Sequence, residues 1–272
     1  MTRLQTDGVT ISYKEAGLTK ETGETICLLH CSTSSHNQWR DLWELLSDRY
    51  RVLAHDLYGY GGTSSWTGTD EGIIRAEGDL VRALTSDLES FHLLGHSYGG
   101  ASGLRLALEE PHRIKSLTLI EPISIFVLDP EKDARPYNEL QNVADVYRAE
   151  IDAGNMDAGI KQYFDYWNGD GAWESALPRT RDYARDTAYK CYHEFAAIYD
   201  KSNQSMPLNV LTMPVHILRG TKTQPPAHRI VEVLAAALPH AQVTEISGAG
   251  HMSPITHPEE VNAAIEGFLV AL

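Results

Sequence analysis

Residues 93–100 read LLGHSYGG, and Gly95-His96-Ser97-Tyr98-Gly99 fits the pattern G-x-S-x-G. The run before it, SFHLLGH, is apolar, and the run after it has the spacing of a helix. A serine on such a tight strand-to-helix turn has its oxygen pushed into the open, and the flanking glycines let the crowded turn close. The helix that follows directs backbone N–H groups at developing negative charge, the first of them on Tyr98. That is equipment for nucleophilic attack on a carbonyl. A serine hydroxyl is a poor nucleophile by itself and needs a base within hydrogen-bond reach. Twelve histidines are available. His251 suits best, because it stands in the glycine-rich loop SGAGHM after the last apolar run, from which an imidazole can swing towards Ser97. His96 and His30 read as structural residues, and His257 as a surface residue opening the last helical stretch. The imidazole needs a partner to hold its tautomer. Glu121 closes the otherwise apolar run LTLIEP, where a carboxylate is costly unless it has partners.

These residues require a particular scaffold. ETICLLH (24–30), YRVLAHD (50–56), SFHLLGH (90–96), KSLTLIEP (115–122), PVHILRG (214–220) and AQVTEIS (241–247) are near-continuously apolar, as strands covered on both faces must be. VTISYKEA (9–16) alternates and reads as an exposed edge strand. Helical patterns lie between them: NQWRDLWELLSD, EGDLVRALTSDL, GASGLRLALEEP, AHRIVEVLAAALP and PEEVNAAIEGFLVAL. The alternation predicts an α/β fold, a mostly parallel sheet with helices on both faces. Residues 124–210 contain no convincing strand and many aromatic residues. A structureless loop of that length is improbable in a compact domain. The segment is therefore expected to be a helical insert over a core formed by residues 1–123 and 211–272. Most of its aromatics should pack between insert and core, and a few, with Tyr166 and Trp167 as candidates, should face a cavity.

The composition narrows the function. A chain of 272 residues with 42% hydrophobic content can bury a sizeable core. A net charge of -14 repels phosphate backbones, so nucleic acid is not an expected partner. No run approaches the eighteen or more apolar residues of a membrane helix, and the start, MTRLQTDGVTISY, lacks the charged-then-apolar layout of a leader. Cys27, Cys31 and Cys191 fit neither a disulfide framework nor a metal site, and a reducing cytoplasm is the expected setting. Neither a metal-ligand motif nor a nucleotide-binding glycine loop stands out, so no cofactor and no metal are expected.

With those motifs in view, the chain resembles the α/β-hydrolases over nearly its whole length. LLHCSTSS (28–35) is similar to the family's strand and oxyanion loop, HDLYGYGGTS (55–64) to its D-x-x-G-x-G-x-S turn, and SGAGHMSPITHPEEV (247–261) to its histidine loop. The insert sits where the family places its cap. The resemblance implies a cofactor-independent serine hydrolase of an ester or lactone, its substrate a small molecule of apolar or aromatic character. It gives Ser97 the role of nucleophile, His251 that of base, and the amides of Ser32 and Tyr98 that of oxyanion hole. The family also contains carbon–carbon bond hydrolases, perhydrolases, hydroxynitrile lyases and ligand receptors with similar sites, whereas its dehalogenases and epoxide hydrolases need an aspartate where Ser97 stands. Two departures stand out. Cys31 replaces the glycine of the oxyanion loop, so that loop must take an ordinary backbone conformation or a different geometry, and the thiol is itself a rival nucleophile. Thr223, in HILRGTKTQPPAH, occupies the family's usual acid position. The acid is then absent, supplied by an insert residue such as Asp200, or moved to the end of the sixth strand as Glu121. The last is favoured, because some members of the family carry their acid there.

Overall fold

A computed structural model describes residues 1–200, 206–238 and 240–272. Among them, eight strands form one sheet: β1 (Thr2–Thr6), β2 (Val9–Gly17), β3 (Glu24–Leu29), β4 (Tyr50–His55), β5 (Phe91–His96), β6 (Ile114–Ile120), β7 (Val215–Gly220) and β8 (Gln242–Ile246). Their spatial order is β1-β2-β4-β3-β5-β6-β7-β8. The pairings β1–β2 and β2–β4 are antiparallel, and all the others are parallel.

Each of the seven apolar or alternating runs contains a strand, but VTISYKEA is not at the edge. Strand β1 lies outside it, joined by a tight turn at Asp7-Gly8, where both residues have positive φ (46° and 79°). Asp-Gly is a strong signal for such a hairpin. The strand it introduces, TRLQT, is short and mostly polar, which hides it from a hydrophobicity pattern.

The long apolar runs have a direct cause: both faces of the central strands are covered. On β3, Ile26 and Leu28 point into one buried cluster, which includes Trp39, helix α1 (Arg40–Leu46) and helix α11 (Pro258–Val270). Cys27 and Leu29 point into the other, with α2 (Ile73–Leu84), α3 (Tyr98–Glu109) and α9 (Pro225–Ala237). Between β6 and β7 the chain runs through α4 (Ala134–Asp152), α5 (Met156–Asn168), α6 (Ala172–Ser175), α7 (Pro178–Asp186) and α8 (Ala188–Ile198), with no strand among the described residues. Leu140, Tyr147, Ile160, Trp167 and Phe195 from these helices join the second cluster, so insert and sheet share one apolar core. The remaining helix, α10 (Ser253–Thr256), is a single turn. No helix of the described residues is long and apolar enough to cross a membrane.

The fold serves the site through strand direction. Parallel strands bring their C-terminal ends to one rim, where ligands of such sheets bind. Ser97 follows β5, Glu121 follows β6, Thr223 lies just past β7, and the His251 loop follows β8. Four residues far apart in sequence thus meet at one edge.

Leu28 is fully buried at the centre of this sheet. Leu28→Ala should lower the unfolding free energy by about 2–5 kcal/mol, the usual range for truncating a buried leucine. Urea unfolding checks this: the midpoint should fall with the slope unchanged, and a midpoint at the wild-type value would contradict the packing described.

Candidate active site

Ser97 sits at the head of the turn between β5 and α3 with φ 56° and ψ −119°, a conformation unusual for any residue with a side chain. The turn is fastened on both sides. The Ser97 N–H donates to the Ile120 carbonyl at 3.0 Å, and the Ile123 N–H donates to the Ser97 carbonyl at 3.1 Å. Close packing explains the glycines. A Cβ on Gly99 would come within 2.3 Å of the His30 carbonyl oxygen, so only glycine lets the turn lie against the oxyanion loop.

The Ser97 hydroxyl lies 2.9 Å from His251 Nε2, and His251 Nδ1 lies 2.7 Å from Glu121 Oε2. All three side chains are buried. An ionised carboxylate can only accept, so it fixes the imidazole proton on Nδ1 and leaves Nε2 to accept from Ser97. Glu121 is fully buried and also has positive φ, 41°. Its Oε1 accepts the Gly220 N–H at 2.6 Å, and its Oε2 accepts a hydrogen bond from the Thr223 hydroxyl. Thr223 therefore retains a part in this site: it donates to the carboxylate instead of supplying one. Asp200 follows α8, but both ring nitrogens of His251 are engaged elsewhere, with Glu121 and Ser97.

A second line of hydrogen bonds sets the position of the histidine loop. The Cys31 N–H donates to Gln38 Oε1 at 3.0 Å, and Gln38 Nε2 lies 3.0 Å from His96 Nδ1. His96 Nε2 lies 2.9 Å from the His251 carbonyl. With the carbonyl as acceptor, Nε2 carries the proton and Nδ1 accepts from Gln38. Burial holds the His96 pKa well below its ordinary value, so the ring stays neutral in this role. His30 is likewise structural. Its Nδ1 donates to the Cys31 carbonyl at 2.7 Å and its Nε2 accepts the Leu57 N–H at 3.0 Å. His257 is half-buried just before α11, with Nδ1 2.9 Å from the Thr256 hydroxyl. Nothing in the pattern of the sequence marks Gln38 for this bridging position.

Ser32, Ser97 and Tyr98 border one cavity. Ile123, Leu140, Tyr163, Trp167, Cys191, Glu194, Phe195 and Ile198 complete its wall. Tyr98 is the first residue of α3, where the backbone N–H has no acceptor within the helix. In the oxyanion loop the positive φ falls on Thr33 (53°), not on Cys31, which is how a cysteine is accommodated in the place of glycine. Of the two aromatic candidates, Trp167 lines the cavity and lies against His251, with ring centroids 4.0 Å apart. Tyr166 is not among the lining residues. Its ring packs edge-on against Trp167, its hydroxyl donates to Glu139 at 2.9 Å, and its carbonyl accepts from Gln224 at 2.6 Å.

Comparison with known proteins places this geometry in context. Residues 24–258 match the family described as alpha/beta hydrolase fold. The chain is 34% identical over 125 residues to a fluoroacetate dehalogenase of Burkholderia sp, an alignment covering 42% of this chain and 40% of that protein. It is 27% identical over 275 residues to a non-heme chloroperoxidase of Streptomyces lividans, covering 97% of each. The chain thus spans about two fifths of the first of these relatives and nearly all of the second. The enol-lactonase from Burkholderia xenovorans LB400 superposes with a TM-score of 0.72 at 21% identity, over 99% of this chain and 100% of that one, a likeness of fold.

The three thiols test the rival nucleophile. Cys27, Cys31 and Cys191 are free and buried, and burial pushes the thiols of Cys27 and Cys31 up to about 12. Since the thiolate is the reactive form, iodoacetamide at neutral pH should leave the native protein unmodified and alkylate all three cysteines in denaturant, as read by intact mass. Rapid, selective alkylation of native Cys31 would show that its thiol is reactive.

Proposed function

Since this chain belongs to the alpha/beta hydrolase fold family and is an enzyme of that fold, we propose that it is a serine hydrolase that cleaves a carboxylic ester or lactone through an acyl-enzyme on Ser97. The observation that carries this reading is the unbroken line of hydrogen bonds from Ser97 through His251 to Glu121. In it, the Ser97 oxygen adds to the substrate carbonyl while its proton passes to His251 Nε2. The imidazolium so formed is stabilised by the Glu121 carboxylate on Nδ1. The carbonyl oxygen, now negative, is held by the backbone N–H groups of Ser32 and Tyr98, with Tyr98 contributing the N-terminal end of α3 as well. As the tetrahedral species collapses, the carbon–oxygen bond to the alcohol breaks and His251 returns the proton to that oxygen. A lactone keeps the alcohol tethered to the acyl chain. Water then gives a proton to His251 and its oxygen adds to the acyl carbon; the bond from that carbon to the Ser97 oxygen breaks, and His251 returns the proton to Ser97 as the acid leaves.

Carbon–halogen displacement, the activity in the name of one relative, is not proposed here, because it requires a carboxylate at the position of Ser97. Helices α4–α8 are proposed to act as a cap domain, residues 124–210, over a core of 1–123 and 211–272. Its support is that Leu140, Tyr163, Trp167 and Phe195 of these helices wall the cavity beside Ser97. Their apolar character favours an apolar or aromatic substrate. Three buried free thiols are consistent with a reducing cytoplasm as the site of action.

The charge on Glu121 is the decisive variable. Glu121→Gln keeps the shape and removes the charge, so the fold should persist while kcat falls by about 10⁴-fold, as for loss of the aspartate in the serine-protease triad. Retention of more than about a tenth of wild-type kcat would end the assignment. Thr223 already touches the carboxylate. Thr223→Asp added to Glu121→Gln should therefore recover part of the lost rate. Ser97→Ala should abolish both turnover of chromogenic esters and labelling by a fluorophosphonate. Undiminished activity in that variant would refute the serine mechanism.

A further inference from the structure

The proposed mechanism gives no role to a buried charged cluster beside the cavity. Lys190 Nζ lies 2.6 Å from Glu194 Oε1 and 3.0 Å from Glu77 Oε1, and all three side chains are buried. Glu77 interrupts the apolar stripe of α2, and its Oε2 accepts the Tyr58 N–H at 3.0 Å. The ammonium sits over the rings of Tyr98 and Tyr60, at 4.6 and 5.0 Å from their centroids. Burial works to lower the Lys190 pKa, and the Glu194 and Glu77 carboxylates more than offset it. The ammonium is thus already engaged, with two carboxylates and two aromatic faces around it.

Glu194 differs from the other two in facing the cavity. On α8, Cys191, Glu194, Phe195 and Ile198 lie at helical spacing and all border the cavity that holds Ser97. Among the described residues, Glu194 is the one carboxylate in that lining. Its Oε1 is taken by Lys190, while Oε2 is buried and has no hydrogen-bond partner among the described residues. A buried carboxylate oxygen left unpaired is costly, and a site built this way gains most from a ligand that brings the missing donor.

We propose that Glu194 is a specificity-determining residue: its Oε2 accepts a hydrogen bond from a hydroxyl or ammonium group on the substrate cleaved at Ser97. This rests on the serine-hydrolase reading above and narrows it. Preferred substrates carry an apolar or aromatic body with a hydrogen-bond donor placed to meet α8. Groups that can only accept, carboxylates above all, are disfavoured there. A hydroxyl and an ammonium share the donor chemistry, and the negative charge of Glu194 favours the ammonium of the two.

The test uses small ring compounds as protectants of Ser97 against a fluorophosphonate. Toluene, benzyl alcohol, benzylamine and benzoate share a ring and differ in the group they present. In the wild-type protein, benzylamine and benzyl alcohol should slow labelling at concentrations at least about tenfold lower than toluene and benzoate, since a site built to hydrogen-bond a group discriminates against analogues lacking it. In Glu194→Gln, whose amide nitrogen offers donors of its own, the advantage of benzylamine over toluene should disappear and benzoate should improve. Wild-type protection by toluene or benzoate equal to that by benzylamine would overturn the inference, whether or not the variant folds. So would an unchanged order in a folded Glu194→Gln. Labelling of Ser97 together with a flat order of protectants defeats this inference alone. Absence of labelling defeats the serine-hydrolase reading, and this inference with it.

Discussion

A carboxylate removed from water must find its hydrogen bonds within the protein, and much of the active-site rim can be understood from how Glu121 finds them. Its two oxygens receive the Gly220 N–H, the Thr223 hydroxyl and the His251 ring N–H. Each donor comes from a segment that a parallel sheet brings to the same edge: the end of β7, the turn after it, and the loop after β8. The backbone of Glu121 joins as well, donating its N–H to the Leu218 carbonyl at 3.0 Å. An isolated buried charge would cost several kcal/mol or neutralise itself by protonation. Surrounded by three donors, its oxygens are satisfied and it holds the imidazole in place.

The same economy of space governs the rest of the rim. Gly220 cannot carry a side chain, because a Cβ there would lie 2.2 Å from the Ala249 carbonyl oxygen in the histidine loop. The Lys222 N–H donates to that same carbonyl at 2.8 Å. The loop after β7 has thus become a support for the histidine loop and a donor to Glu121, and a threonine suits that work better than a second carboxylate beside the first. On the opposite side, the bridge from Cys31 through Gln38 and His96 to the His251 carbonyl ties the oxyanion loop to the histidine loop. Ser97, His251 and the segment around Ser32 are thus held by contacts with neighbouring segments as well as by their own loops. Preorganisation of this kind is what makes electrostatic stabilisation of a transition state effective.

The cavity combines two solvents. Most of its wall is aliphatic and aromatic, supplied by the helices between β6 and β7, and Trp167 extends that wall over the face of His251. Water excluded by such a wall strengthens every charge interaction inside it. Against that background Glu194 and its ion pair with Lys190 stand out, because they place a buried charge in a wall that is otherwise neutral among the described residues.

The sequence alone determined the layout of the sheet core and pointed to the candidate residues at its rim. Both faces of a parallel sheet are buried, so its strands announce themselves as apolar runs, and GHSYGG between such a run and a helix marks Ser97. Glu121 was legible for the same reason in reverse, as a charge in a run that should have none. Strand β1 was not, because a short polar strand lacks that signal and only Asp7-Gly8 betrays it. Several relations needed the tertiary structure. Thr223 donating to Glu121, Gln38 bridging two loops, and Trp167 rather than Tyr166 reaching His251 are contacts between segments distant in the chain. The cluster of Glu77, Lys190 and Glu194 was equally hidden. A lysine and a glutamate four residues apart in a helix usually form a solvated pair, and whether they face water or a cavity depends on what the fold places above them. Local pattern records how a residue relates to its own element, and the partner across the gap is set only when the chain closes.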